Sequence, residues 1–314
     1  MPIIAVDAGG TNIKIGLIDK GKIIVRRKLA SASHNGFEPQ MPLIVEAVSE
    51  MLLQSGFDQS DLKGVGSAIP GIVDVKAKKI LDINDKYTDL MQLDLPKWVK
   101  KNWKAPFVVE GDARSALYGS WKYGAGKGVD DLVLITIGTG IGTGVVIQGN
   151  VLYGKHGQAG ILGGHFIVDQ NGKRCNCGNI GCAEALASSW SLPDLVRALC
   201  PSGSSLYEQA DEITFQKLFK EAREGEPSAV KVRDHCINTW SALTINMIHA
   251  YDPEVVLLSG GVLKSAEDIL PEIRWQVKER AWTPWGQVQI EAEELLDDAA
   301  LLGVEYLLKE NYGI

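Results

Sequence analysis

Cysteine is scarce in this chain of 314 residues and unevenly placed: there are five, and three of them fall between Cys175 and Cys182. An odd count leaves no complete set of disulfides. Long apolar runs are missing as well, and no segment approaches the ~20 residues of a membrane span. The N-terminus MPIIAVDAGG carries an acid and two glycines where a secretory leader needs a basic start and a longer apolar stretch. The expected location is therefore the cytoplasm, where structural disulfides are rare and clustered thiols are read first as metal ligands or redox groups. Basic runs are absent too, and a net charge of -7 disfavours a nucleic-acid surface. The expected partners thus include neither nucleic acid nor membrane. Low-complexity segments and long linkers are also lacking, while 45% hydrophobic residues suffice for about two packed domains at this length.

What is present is a repeated pattern. Apolar residues fill Ile3 to Val6, alternate at Ile13, Ile15 and Leu17, and resume from Ile23, with turns at residues 8–10 and at Lys20-Gly21; this predicts a three-strand meander. Residues 131–153 repeat it: a buried strand, a glycine turn at 138–142, a second strand and a Gly149-Asn150 hairpin signal. Between the copies the patterning predicts helices near 39–54, 95–102 and 113–122, and strands near 65–69 and in FVVEGDA. Beyond them come a long helix near 228–250, the strand EVVLLSGG, a helix near 265–280, a strand at 287–292 and a last helix from 298. Strands alternating with helices imply an α/β chain with mixed sheets.

A glycine turn directly after a buried strand lets backbone amides approach phosphate oxygens, because no Cβ blocks the anion. It can equally be a tight hairpin whose glycines supply positive φ. The same turn at the same place in two copies of one unit favours phosphate. Asp7 at the first strand end, with Thr11 and Asn12 in the turn, would suit a hydrated Mg2+ and a terminal phosphate. Neither turn matches G-x-x-x-x-G-K-[ST] or opens a helix, which excludes P-loop and Rossmann readings.

The segments DAGGTN, GTGIGTG, SGGV and, above all, GHFIVDQNGKRCNCGNIGCAEALAS resemble the ROK family (repressors, open reading frames, sugar kinases) of the actin-like ATPase fold. The resemblance implies two RNase H-like domains with an interdomain cleft that closes over ATP and a sugar. The expected division is an N-terminal domain at 1–116 with the first phosphate turn and sugar contacts, and a nucleotide and zinc-loop domain at 117–295. The helix at 296–314 is expected to return to the N-terminal domain. Homodimers are common in the family.

His165 lies ten residues before Cys175, so His165, Cys175, Cys177 and Cys182 offer one imidazole and three thiols, a set that suits structural, tetrahedral Zn2+. The spacing matches the family's zinc signature. On the family's pattern the metal loop holds His165 and Glu184 against the sugar, with Asn84 as a further contact. Cys200 and Cys236 read as packing residues. Asp112, just beyond a buried strand and at a helix start, matches the aspartate that accepts the proton of the attacking sugar hydroxyl; it would also suit a helix cap. By the same resemblance Asp7, Gly9, Gly10, Thr11, Asn12, Gly138, Thr139 and Gly140 serve Mg2+ and the phosphates, and Gly260 and Gly261 the adenosine side. Lys14 could add charge there, but it alternates outward on its strand and reads equally as a solvated lysine.

Two positions depart from the family: Gly111 stands where Asn is usual and Leu162 where Glu is usual. Both are common sugar contacts. The expected function is an ATP- and Mg2+-dependent kinase phosphorylating a hydroxyl, O6, of a hexose or hexose derivative such as glucose or an N-acetylhexosamine. The alternatives are a sugar-sensing regulator, whose family members carry a helix-turn-helix before the first turn, and a weakly active sugar binder.

Overall fold

A computed structural model describes residues 2–83 and 86–314. The chain forms two compact units: one holds everything up to Gly128 together with Tyr153–Ala159 and Asp297–Ile314, the other Val129–Leu152 and Gly160–Leu296.

The strands of the first unit are β1 (Ile3–Ala8), β2 (Asn12–Asp19), β3 (Lys22–Ala30), β4 (Gly64–Ile69), β5 (Ile72–Asp74), β6 (Lys79–Asp82) and β7 (Phe107–Gly111). Five of them form a sheet in the order β3-β2-β1-β4-β7, with β1 antiparallel to β2 and parallel to β4. β1 is buried along its whole length because it is covered on both faces, which is why IIAVDA reads as a continuous rather than alternating run. Edge strand β3 alternates exposed and half-buried residues and carries Arg26, Arg27 and Lys28, charges that discourage pairing with another edge. One face holds α1 (Met41–Gln54) and α2 (Leu95–Trp103) over a core of Ile4, Ile13, Ile44, Met51, Val99 and Trp103. α3 (Asp112–Tyr123) follows β7 directly.

The second unit repeats the plan with β8 (Leu132–Ile137), β9 (Ile141–Ile147), β10 (Asn150–Val151), β11 (Val255–Ser259) and β12 (Gln289–Ala292), in the order β10-β9-β8-β11-β12. Its helices are α4 (Ala183–Ala187), α5 (Leu192–Leu199), α6 (Ser205–Glu208), α7 (Phe215–Arg223), α8 (Pro227–Tyr251) and α9 (Ala266–Arg280). Trp240 of α8 centres this core: Phe215 and Phe219 pack on its ring, and its indole N–H donates to the Ala187 carbonyl at 2.8 Å.

The last helix, α10 (Ala299–Tyr312), belongs to the first unit. Leu301, Val304 and Leu308, one helical face, lie over Gly16, Gly66 and Gly64 of the sheet. α3 packs against α10 and sits whole in the first unit, so the division expected at 116 runs through a helix. The return of Tyr153–Ala159 to the first unit is a second feature a linear division lacks. Among the described residues no helix is long and apolar enough to cross a membrane.

Candidate functional site

In the first unit the β1–β2 turn carries Asp7, Gly9, Gly10, Thr11 and Asn12. None of its glycines has positive φ; small size is what the turn requires. A Cβ on Gly9 would lie 2.8 Å from the Asn12 carbonyl oxygen, and one on Gly10 would lie 2.8 Å from the Lys86 Nζ. Surrounding groups hold the turn's carbonyls: Tyr87 donates to Gly9 O at 3.0 Å, and Ser31 and Ser33 to Gly10 O at 2.5 and 3.1 Å.

Asp7 and Lys14 are cross-strand partners in the β1–β2 ladder, so their side chains share one face. The Lys14 ammonium lies 3.3 Å from Asp7 and 2.8 Å from Asp297, so Lys14 is ion-paired rather than freely solvated. Burial pushes the Asp7 carboxyl above its ordinary value, with Lys14 opposing that shift only in part. Burial works against the charge on Lys14, yet Asp7 and Asp297 hold its pKa above the usual value. Asp7 presents a buried carboxylate, an oxygen donor of the kind that holds Mg2+ through water. Lys86 has no motif around it and was not legible beforehand; only folding brings its ammonium to Gly10.

Asp112 opens α3, where helix amides favour an ionised carboxylate. Its Oδ1 accepts from the Ala113 N–H at 2.7 Å. Gly111 has φ -60° and ψ 143°, open to any residue, and a Cβ there would meet nothing closer than the Gly71 carbonyl oxygen at 3.7 Å. Neither strain nor space therefore demands glycine at this position. Asn84 lies outside the described residues.

In the second unit the Gly138–Thr139–Gly140 turn is tied down from below. Ser189 and Trp190 donate their amides to Gly138 O and Thr139 O at 3.0 and 3.1 Å. Glu184 accepts from the Ile141 N–H at 2.8 Å and from the Trp190 indole at 3.3 Å, and a Cβ on Gly140 would lie 2.5 Å from its carboxylate. Glu184 thus braces the second glycine turn, a role the sequence did not suggest. Gly260 has φ +96°, and a Cβ on it would lie 2.3 Å from the Ile137 carbonyl oxygen, so the Gly260-Gly261 turn sits against the end of β8, next to Gly138.

The ligand atoms of His165, Cys175, Cys177 and Cys182 all lie within 4.8 Å of one another. Cys175 Sγ is 3.6 Å from His165 Nδ1, and Cys177 Sγ is 3.7 Å from Cys182 Sγ. Metal–sulfur bonds of ~2.3 Å in a tetrahedron place sulfurs about 3.8 Å apart, so the donor set fits a Cys3His zinc site. The backbone shapes the knuckle: bridges pair Ile167 with Cys182 and Arg174 with Ile180. At Gly181, with φ +73°, a Cβ would lie 1.6 Å from the Asp169 carbonyl oxygen. Without a cation, burial pushes the Cys175 and Cys182 thiols up; binding metal means displacing those protons. Nδ1 faces the thiols, which leaves the other imidazole nitrogen for a different partner. Leu162 begins the short turn that ends at His165 and is 36% exposed. Cys200 and Cys236 are buried away from this cluster.

The chain is similar to proteins of known family over its whole length. A glucokinase of Thermotoga maritima is 31% identical over 320 residues, covering 100% of this chain and 99% of that protein. A xylose repressor of Bacillus subtilis is 24% identical over 310 residues, covering 98% of this chain and 77% of the repressor. A solved ROK family glucokinase from Streptomyces griseus, in complex with glucose and AMPPNP, superposes with a TM-score of 0.81 at 29% identity, covering 99% of this chain and 100% of that one. The α/β architecture with mixed sheets is that of the actin-like ATPase fold. The sequence match to the ROK family extends over residues 3–311, from the first strand into the last helix, and the chain belongs to that family.

Proposed function

We propose that this protein is an ATP- and Mg2+-dependent sugar kinase of the cytoplasm, transferring the γ-phosphoryl group to O6 of a hexose or hexose derivative. The observation that carries the reading is Asp112, a carboxylate at the first turn of α3 directly beyond β7, in a chain that aligns end to end with a glucokinase. In the reaction the sugar oxygen forms its bond to the γ-phosphorus while the bond to the ADP leaving oxygen breaks, and Asp112 takes the hydroxyl proton. The transition state is loose, so Asp112 mainly orients the nucleophile and receives the proton late. Asp7, Thr11 and Asn12 would hold Mg2+, which neutralises phosphate charge when bound. The glycine turns at residues 9–10 and 138–140, with Thr139, would receive phosphates, and Gly260 and Gly261 the adenosine side.

Zn2+ in the Cys3His set is structural in this reading: all four positions are protein ligands, with none left for water. It would order the knuckle that carries His165, whose second ring nitrogen then meets a sugar hydroxyl, with Asn84 and Glu184 as further sugar-side residues. Gly111 and Leu162 remove an amide and a carboxylate from the sugar pocket, which favours a substituted or deoxygenated hexose, such as an N-acetylhexosamine, over glucose. The match to a xylose repressor favours a second reading, a sugar-binding regulator. A coupled ADP-release assay over hexoses, hexosamines and N-acetylhexosamines separates the two: turnover with any of them supports the kinase, and none with all of them overturns it.

A further inference from the structure

Two residues before Asp112 stands a carboxylate that the proposed reaction does not use. Glu110 is 1% exposed. One of its oxygens accepts from the Gly111 N–H at 2.8 Å and from Arg114 Nη1 at 3.0 Å; the other accepts from the Tyr153 hydroxyl at 2.6 Å. Arg114, 2% exposed, lies one helical turn on. Its Nη2 donates to the Gly157 carbonyl at 2.8 Å, and its guanidinium stacks on the Tyr153 ring at 4.1 Å. The Tyr118 and Tyr153 hydroxyls are 3.2 Å apart. Burial, then the charge of Glu110, pushes the Tyr153 phenol far above its ordinary value, so it remains a donor.

A buried ion pair is seldom more stabilising than apolar residues of the same volume, so stability is a poor reason for this one. Its geometry offers a better one. The pair spans the junction of β7 and α3, with Asp112 between its members, and through Tyr153 and Gly157 it ties residues 153–159 to the same junction. We propose that Glu110 is a positioning residue: paired with Arg114 and Tyr153, it fixes the peptide that carries Asp112 and so the direction of the Asp112 carboxylate. This rests on the reading of Asp112 as proton acceptor. A displacement of about 1 Å in such a group lowers turnover by up to ~10²-fold.

The test compares kcat, the KM values for sugar and MgATP, and thermal unfolding in four variants. Tyr153→Phe, which removes one hydroxyl and leaves one buried Glu110 oxygen without its donor, is expected to stay folded with a lower unfolding temperature, and to show kcat lowered about tenfold with both KM values within about twofold. The double variant Glu110→Met with Arg114→Met is expected to keep its stability yet lose at least tenfold in kcat, a split that a purely structural pair would not produce. Asp112→Asn is expected to be nearly inactive, and adding Glu110→Gln to it should lower kcat little further, because both changes act through one group. A folded double variant with wild-type kcat overturns the proposal, as does a rise in KM alone; if that variant does not fold, wild-type kcat in Tyr153→Phe overturns it. Near-normal turnover of Asp112→Asn instead overturns the acceptor assignment, and with it the positioning of Asp112.

Discussion

Gly303 of α10 packs so closely on Gly119 of α3 that a Cβ on Gly303 would lie 2.9 Å from the Gly119 amide nitrogen and 1.8 Å from the Ser115 carbonyl oxygen. A Cβ on Gly119 would in turn lie 1.9 Å from the Ala299 carbonyl oxygen. These obstacles are backbone atoms and cannot rotate away. Gly303→Ala and Gly119→Ala should each destabilise the protein by about 3 kcal/mol or more, read as a lower midpoint in thermal or urea unfolding. A midpoint unchanged in both variants would show that the helices separate at little cost.

Asp112→Asn keeps the shape of the site and removes the proton acceptor. We expect kcat to fall by at least ~10²-fold with KM for the sugar little changed. Steady-state kinetics on folded protein decide it, and turnover near the wild-type value would move the acceptor elsewhere.

Cys177→Ser replaces an exposed member of the metal set. Zinc content should drop below one equivalent, the unfolding temperature should fall, and KM for the sugar should rise as the His165 loop loosens. Elemental analysis comes first: wild-type protein purified without chelator and carrying no zinc would contradict the whole prediction.

Leu162→Glu restores a carboxylate to the short turn before His165. A sugar hydroxyl buried without a partner costs about 1–3 kcal/mol, or roughly a factor of ten to more than a hundred in affinity. The wild type should therefore show a higher kcat/KM for a modified hexose than for glucose, and the variant should shift that ratio toward glucose. Gly111→Asn, where the backbone dihedrals suit any residue, should act in the same direction. Glucose as the best wild-type substrate, impaired by Leu162→Glu, would refute the altered pocket.

Lys86 holds its ammonium at the first glycine turn, where a Cβ on Gly10 would meet it at 2.8 Å. If that cation assists phosphate binding, Lys86→Met should raise KM for MgATP severalfold while leaving KM for the sugar unchanged, with an effect that shrinks as salt is added. Equal MgATP kinetics in the two proteins would reduce Lys86 to packing.

The clustering of His165 with Cys175, Cys177 and Cys182 was legible because three of the four lie within a short span, where a turn of the backbone suffices to gather them. The repeated meander was legible too, because alternation and glycine turns are local signals. The stretch from Ala183 to Arg223 was not read: its four helices, α4 to α7, are short, and two of them have only four or five residues. The β5–β6 hairpin escaped for the same reason. Lys14 stayed open between a charge at the turn and a solvated lysine because strand alternation does not say what a distant segment will bring to that face; Asp297, 283 residues away, pairs with it.

By itself the sequence determined the doubled α/β plan, the two phosphate-like turns, the placement of Asp112 at a helix start and the Cys3His cluster, all from periodicities and spacings shorter than one supersecondary unit. Only the tertiary structure decided what surrounds them. Glu184 against Gly140 and Tyr153 on Glu110 join segments more than forty residues apart, and Lys86 reaches Gly10 from a distant loop; these contacts form only when the sheets and helices pack, and no local pattern in the chain encodes which partner a buried group will meet.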